Sequence, residues 1–207
     1  MYQVRGSSNR RSQPASLIRA LNELRRAVHV CIAEYAQDRI FIHAGVAAWK
    51  GRGILLPGQT FAGKSTLTAS MLKSGATYYS DEYAVIDNDG RIYPFPLPLH
   101  IREDGGSFVP VPVNQVGKRP LTPGLILFAR YRSNKRWNPE PLTPGQAVLR
   151  LTRNSISMRK NPAAVLPLLK RIALLAPAYA SDRGEAGEVV EWLETNCFNN
   201  LAATCIV

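Results

Sequence analysis

At 207 residues and 22.8 kDa with 45% hydrophobic content, the chain is long enough for one well-packed core and too apolar for a disordered segment. No apolar run reaches the ~18 residues that span a bilayer, and the polar, arginine-bearing start lacks the apolar core of a secretory signal, so a single cytoplasmic domain is expected. Cys31, Cys197 and Cys205 are odd in number and lack C-x-x-C spacing, which argues for reduced, mostly buried thiols; the net charge of +11 favours an acidic partner, whether peptide, nucleic acid or anionic lipid.

Residues 1–15 are polar, with Arg5, Arg10 and Arg11 among Ser, Gln and Asn, and read as a mobile basic tail ahead of one domain, 16–207. Three arginines without interleaved aromatics are a weak nucleic-acid footprint. Leu17, Ile18, Leu21, Leu24, Val28 and Ile32 fall on one face of an amphipathic helix, expected to pack on a sheet, with Arg19, Glu23, Arg25 and Arg26 largely off that face. Two short β-prone runs follow, Arg39 to His43 and Ala44 to Trp49. Lys50-Gly51-Arg52-Gly53 then has hairpin-turn chemistry and leads into an apolar strand, Gly53 to Pro57.

The next stretch, Gly58-Gln59-Thr60-Phe61-Ala62-Gly63-Lys64-Ser65-Thr66, contains G-x-x-x-x-G-K-[ST] between that strand and a helical pattern (Leu67, Met71, Leu72) closing near Gly75. Strand, glycine loop and helix start form the setting in which backbone N–H groups wrap a nucleotide phosphate, the lysine reaches the outer phosphates and the serine hydroxyl ligands Mg²⁺. Thr77 to Asp87 is strand-like, with Asp81 and Glu82 in its middle. Beside a phosphate loop one such acid holds Mg²⁺ and a second accepts the proton of an attacking hydroxyl. An extended backbone would aim only one of them at the phosphates, so both can serve only if the strand bends there. His43, at a strand end near the loop, reads either as a structural side chain or as a contact to phosphate.

Tyr93 to Arg102 carries alternate prolines and is expected to be extended rather than a central strand; Glu103 to Gly106 reads as a surface loop. Leu125 to Ala129 suits a strand buried on both faces. A helix is predicted from Leu142 through about Leu151, another from Pro162 to Leu175 interrupted at Pro167, a short strand at Ala176 to Ala180 and a helix from Glu185 to Glu194. Between 117 and 160, ten cations (Lys118, Arg119, Arg130, Arg132, Lys135, Arg136, Arg150, Arg153, Arg159 and Lys160) stand against one acid, Glu140. They are expected to recruit an acidic protein or peptide, some of them touching ATP phosphates instead. Tyr131 and Trp137 are too few for a base-stacking platform.

The order of these parts resembles the catalytic domain of HPr kinase/phosphorylase and its relatives. The shared parts are a strand with a histidine before an apolar stretch (Ile42-His43-Ala44-Gly45-Val46), the P-loop some fifteen residues on, and the adjacent acidic pair after the P-loop helix. The likeness covers residues 30 to 90. It implies an α/β fold with the sheet of HPr kinase and phosphoenolpyruvate carboxykinase, frequent oligomers, and ATP- and Mg²⁺-dependent phosphorylation of a serine hydroxyl on a protein. Lys64 would contact the β- and γ-phosphates, Ser65 and Asp81 the metal, with Asp81 or Glu82 as base and His43 near the transferred group. Glu82 stands where the family usually has a second aspartate, and the family's glycine-containing signature is not recognisable in residues 93–112. Only about thirty residues precede the matching region. Shortened homologues look like dedicated kinases of other substrates, including peptide precursors. Two other readings fit the same residues: a small-molecule or carboxykinase-like phosphotransferase, and a nucleotide-binding maturation or scaffold protein without transfer chemistry.

Overall fold

A computed structural model describes residues 17–101 and 107–197; the basic tail, the loop at 103–106 and Cys205 lie outside the described residues. The elements in chain order are α1 (Leu17–Tyr35), β1 (Arg39–Trp49), β2 (Arg52–Pro57), α2 (Lys64–Lys73), β3 (Thr77–Ser80), β4 (Tyr83–Asp87) and β5 (Ile92–Tyr93). Then come β6 (Leu99–Ile101), β7 (Ser107–Val109), β8 (Thr122–Tyr131), β9 (Glu140–Leu142), α3 (Pro144–Thr152), α4 (Pro162–Leu175), β10 (Ala178–Arg183) and α5 (Ala186–Trp192).

Eight strands form one sheet in the order β5-β4-β1-β2-β8-β10-β9, with β3 also paired to β1. Because side chains alternate along a strand, β1 sends Ile40, Ile42, Ala44 and Val46 to one face, where α3 and α4 cover them with Leu151, Leu169 and Ile172. Ala47 and Trp49 go to the other face, with Leu67 and Met71 of α2 and Val189 and Val190 of α5. The result is an α/β sheet with helices on both faces. β2, β8 and β10 are mutually parallel, with Leu55 opposite Ile126 and Arg183 opposite Tyr131, so their carboxyl ends lie side by side. β8 is the buried central strand its apolar run predicts.

Several local readings change. The two runs before Lys50 are one strand, because β1 is held by β4 along its first half and by β2 and β3 along its second. The strand expected from Thr77 to Asp87 is broken at Asp81-Glu82, where the chain bends. Pro167 does not interrupt α4, since one missing amide is outweighed by the burial of Val165, Leu168, Leu169 and Ile172. The thiols are less buried than expected, Cys31 being exposed and Cys197 half-buried. The largest departure is α1. It touches the body through Ala33, His29 and Glu34, while Leu17, Leu21, Leu24, Val28 and Ile32 face outward instead of covering the sheet.

Candidate functional site

The loop from Gly58 to Gly63 leaves the carboxyl end of β2 and is tied to both neighbouring strands. Tyr131 N–H at the end of β8 donates to Ala62 O (3.0 Å), and Gly58 N–H donates to His43 O on β1 (3.2 Å). Arg183, the last residue of β10 and only 1% exposed, donates from Nη2 to Gly63 O (2.7 Å) and from Nη1 to Gly184 O. Crevices outside the carboxyl ends of parallel strands are where open α/β sheets bind ligands. Gly63 has φ 82°, and a Cβ there would stand 2.6 Å from Arg183 Nη2 and 2.9 Å from Tyr131 Cβ, so this corner is closed to other residues. Phe61 adopts φ 71° without being glycine, and its ring stands 80% exposed at the loop's rim.

α2 starts at Lys64 with no side-chain cap, so its first N–H groups face the cleft at the positive end of the helix. Lys64 Nζ donates to Gly58 O (2.9 Å) and Gln59 O (3.1 Å), which holds the ammonium across the loop, and sits 3.4 Å from His43 Nε2. Ser65 Oγ donates to Asp81 Oδ2 at 2.7 Å.

The bend between β3 and β4 resolves the question of the two acids. Ser80 Oγ accepts from Glu82 N–H (3.3 Å) and Tyr83 N–H (3.1 Å), and Ala44 N–H of β1 donates to Glu82 O (3.2 Å). With the alternation broken there, both Asp81 and Glu82 line the same cleft of about 220 Å³ with His43, Lys64, Ser65 and Arg26. Their surroundings differ. Asp81 is buried beside Ser65, whereas the Glu82 side chain is 41% exposed and its Oε1 lies 3.9 Å from His43 Nε2. Burial first, then the charges of Lys64 and Arg26, push His43 down to about 4, so at neutral pH it is uncharged and its contact with Glu82 is no ion pair. An ammonium can only donate, so the tautomer with its proton on Nδ1 is the one whose Nε2 can accept from Lys64. Burial, and secondarily the charge of Asp81, drive Tyr78 far above its usual range, so its hydroxyl remains a donor, to Leu97 O.

A larger cleft, about 810 Å³, opens on the other side of the loop and is lined by Arg130, Arg132, Arg150, Arg153, Asp182 and Glu140 among others. Four of the ten cations between 117 and 160 therefore gather here. Two of these are already engaged, Arg130 Nε at 2.9 Å and Arg132 Nε at 3.2 Å from the Asp182 carboxylate, which the Arg130 hydrogen bond and the nearby cations hold below the usual carboxylate range. Elsewhere Arg159 pairs with Glu34, and Lys160 lies over the Tyr35 ring.

Of the residues singled out in sequence, His43, Lys64, Ser65, Asp81 and Glu82 come together, and Thr60, Phe61 and Thr66 border the same cleft. Gly58, Gln59 and Ala62 face the larger one. Sequence reasoning missed Arg26, Tyr131 and Arg183. The only signal for Arg26 was its place off the apolar face of α1; a buried arginine at a strand end has none.

The oxygens of Ser65 and Asp81 suit a small hard cation that keeps most of its remaining ligands as water and phosphate, which is the coordination habit of Mg²⁺. Among the described residues no cluster of three or more His, Cys, Asp or Glu could hold a metal ion.

No family model matches this sequence, and no curated protein matches it. Among solved structures, the Hpr(Ser) kinase/phosphatase from Coxiella burnetii is similar at 17% identity and a TM-score of 0.49, over 79% of this chain and 99% of that one. A likeness at that level assigns no residue a role. Among the described residues no helix is long and apolar enough to cross a membrane.

Proposed function

We propose that the protein is an ATP-dependent phosphotransferase that passes the γ-phosphoryl group to a serine hydroxyl of a protein or peptide. The observation that carries this reading is the Ser65–Asp81 contact of 2.7 Å at an uncapped helix start, with Lys64 held across the glycine loop and a second carboxylate open to the same cleft. Loop amides, helix dipole and ammonium together suit a polyphosphate. Gly58 to Thr66 would cradle the phosphates, and Ser65 and Asp81 would hold Mg²⁺, which when bound neutralises charge on the phosphate oxygens.

The two acids take different roles in this reading. Asp81 is buried and already accepts the Ser65 hydroxyl, which suits a ligand; Glu82 is exposed to the cleft, which suits a base. The acceptor hydroxyl gives its proton to the Glu82 carboxylate, its oxygen forms the new bond to the γ-phosphorus, and the bridging bond to the β-phosphate breaks to release ADP. Neutral His43 positions Lys64. The 220 Å³ cleft has room for the reacting groups alone, so the rest of a nucleotide or acceptor must extend beyond it. Arg150 and Arg153 in the larger cleft, not engaged by Asp182, are proposed to attract an acidic acceptor.

The test is transfer of the labelled terminal phosphoryl of ATP to a library of serine-bearing peptides. Glu82→Gln should keep Mg²⁺-ATP affinity within a few-fold and lose transfer by about 10²-fold or more, the scale of a general base. Asp81→Asn should lose transfer and also shift the Mg²⁺ dependence upward. ATP bound with no transfer to any hydroxyl would instead leave a nucleotide-binding module, and label on a small-molecule hydroxyl would change the acceptor class.

A further inference from the structure

Six positions of α1, Leu17, Leu21, Leu24, Val28, Cys31 and Tyr35, alternate in steps of four and three residues, the heptad spacing of a coiled-coil seam, with Ile32 beside them. This seam lies away from the body. Leu17, Leu21, Leu24, Val28, Ile32 and Tyr35 are each 47% to 63% exposed, Cys31 is exposed too, and the side chains that touch the body, His29, Ala33 and Glu34, lie on the opposite face. Every residue from Leu21 to Val28 is exposed, so no side chain of that stretch is buried in the body. A free helix of that length is marginal in water, and an apolar stripe along it is a liability unless something covers it.

We infer that α1 pairs with α1 of a second copy of this chain, antiparallel, to form a two-fold symmetric dimer. In that arrangement the seam matches itself completely: Leu17 of one copy meets Tyr35 of the other, Leu21 meets Cys31, and Leu24 meets Val28. Ala20 and Ala27 on one flank are small enough to let the helices approach. A large apolar side chain presents on the order of 200 Å² when fully exposed, so six at about half exposure offer roughly 600 Å² per copy, and two copies reach ~1,200 Å², the lower bound of a stable interface. Charge selects the orientation. α1 runs into β1 within a few residues of Tyr35, so parallel helices would bring two basic bodies together at one end, whereas antiparallel helices hold them at opposite ends. The dyad falls near Arg26, whose side chain borders the cleft with His43 and Glu82, so association would steady the wall of that cleft that α1 supplies.

Sedimentation equilibrium of the full chain at micromolar concentration should give a dimer, and Leu21→Glu with Leu24→Glu should give a monomer. That variant keeps Lys64, Ser65 and the loop, so Mg²⁺-ADP binding within a few-fold of the parent shows that the body has folded. Orientation is read from cross-linking in a Cys197→Ser, Cys205→Ser background, where Leu21→Cys should form an inter-chain disulfide with Cys31 and the background alone should not. A monomer at 100 µM, or a dimer indifferent to both glutamates, overturns the proposal. A Cys31 to Cys31 link in the background overturns the antiparallel pairing.

Discussion

His43 is neutral because of where β1 places it: its strand position turns the ring toward Lys64 and away from water, and both effects favour loss of its proton. Between its ordinary 6.5 and about 4 the unfolded chain binds a proton that the folded chain does not. Stability should therefore be full above pH 6.5 and fall as pH drops toward 4, by up to about 3 kcal/mol from this group. His43→Gln cannot take up that proton. Urea denaturation at pH 7 and pH 4.5 should show a smaller loss in the variant than in the parent, and equal losses would mean that the ring is not held neutral by the fold. The same neutrality gives the ring its function in the proposed reaction, since an imidazolium would repel the ammonium that it now positions. Glu82, a residue away from Asp81 in sequence and far more exposed, is set apart from it by surroundings alone, which is the basis for the different parts the two acids take in the proposed reaction.

At the scale of elements, the glycine loop is a joint between five of them: it links β2 to α2 and is anchored on β1 at Gly58, on β8 at Ala62 and on β10 at Gly63. Gly63→Ala combines a positive φ with a Cβ clash against Arg183 and Tyr131. It should cost on the order of 1–3 kcal/mol of stability and weaken nucleotide binding at least tenfold, read by thermal melting and calorimetry. An alanine variant with parental affinity would show that the loop's shape is not set by this corner. The form of the loop was legible in the sequence because it is local: a strand, a glycine turn and a helix start are contiguous, and their residue types sit within nine positions. The acids were legible as residues but not as a pair, since their joint presentation depends on a bend held by Ser80 and by Ala44 across the sheet. Arg26, Tyr131 and Arg183 were not legible as neighbours of the loop and its cleft. They reach the loop from distant parts of the chain, and one more arginine in a basic sequence carries no periodic mark. The amphipathic pattern of α1 correctly gave a helix with an apolar face, but periodicity says only that a face is apolar and not what it meets, which is why its outward orientation was unforeseen.

For the whole molecule, the net charge of +11 resolves into different uses. Arg130 and Arg132 are engaged by Asp182, and Arg183 is spent inside the loop, whereas Arg150 and Arg153 remain on the wall of the large cleft. Raising salt to about 0.3 M should therefore raise the KM of an acidic peptide acceptor more than it changes ATP affinity, because an open arginine cleft is screened and the enclosed loop is not. Steady-state kinetics at several ionic strengths will read this, and a KM that does not move would leave the arginine cleft without a part in acceptor binding. The expectations about binding and transfer depend on one premise, that a nucleoside triphosphate sits on the loop from Gly58 to Thr66 with Lys64 on its outer phosphates. Isothermal titration of Mg²⁺-ATP into the parent and Lys64→Ala tests it most directly. Losing a charge-assisted contact of about 1.5 to 3 kcal/mol should weaken binding tenfold or more; equal affinity in the two proteins would contradict the account.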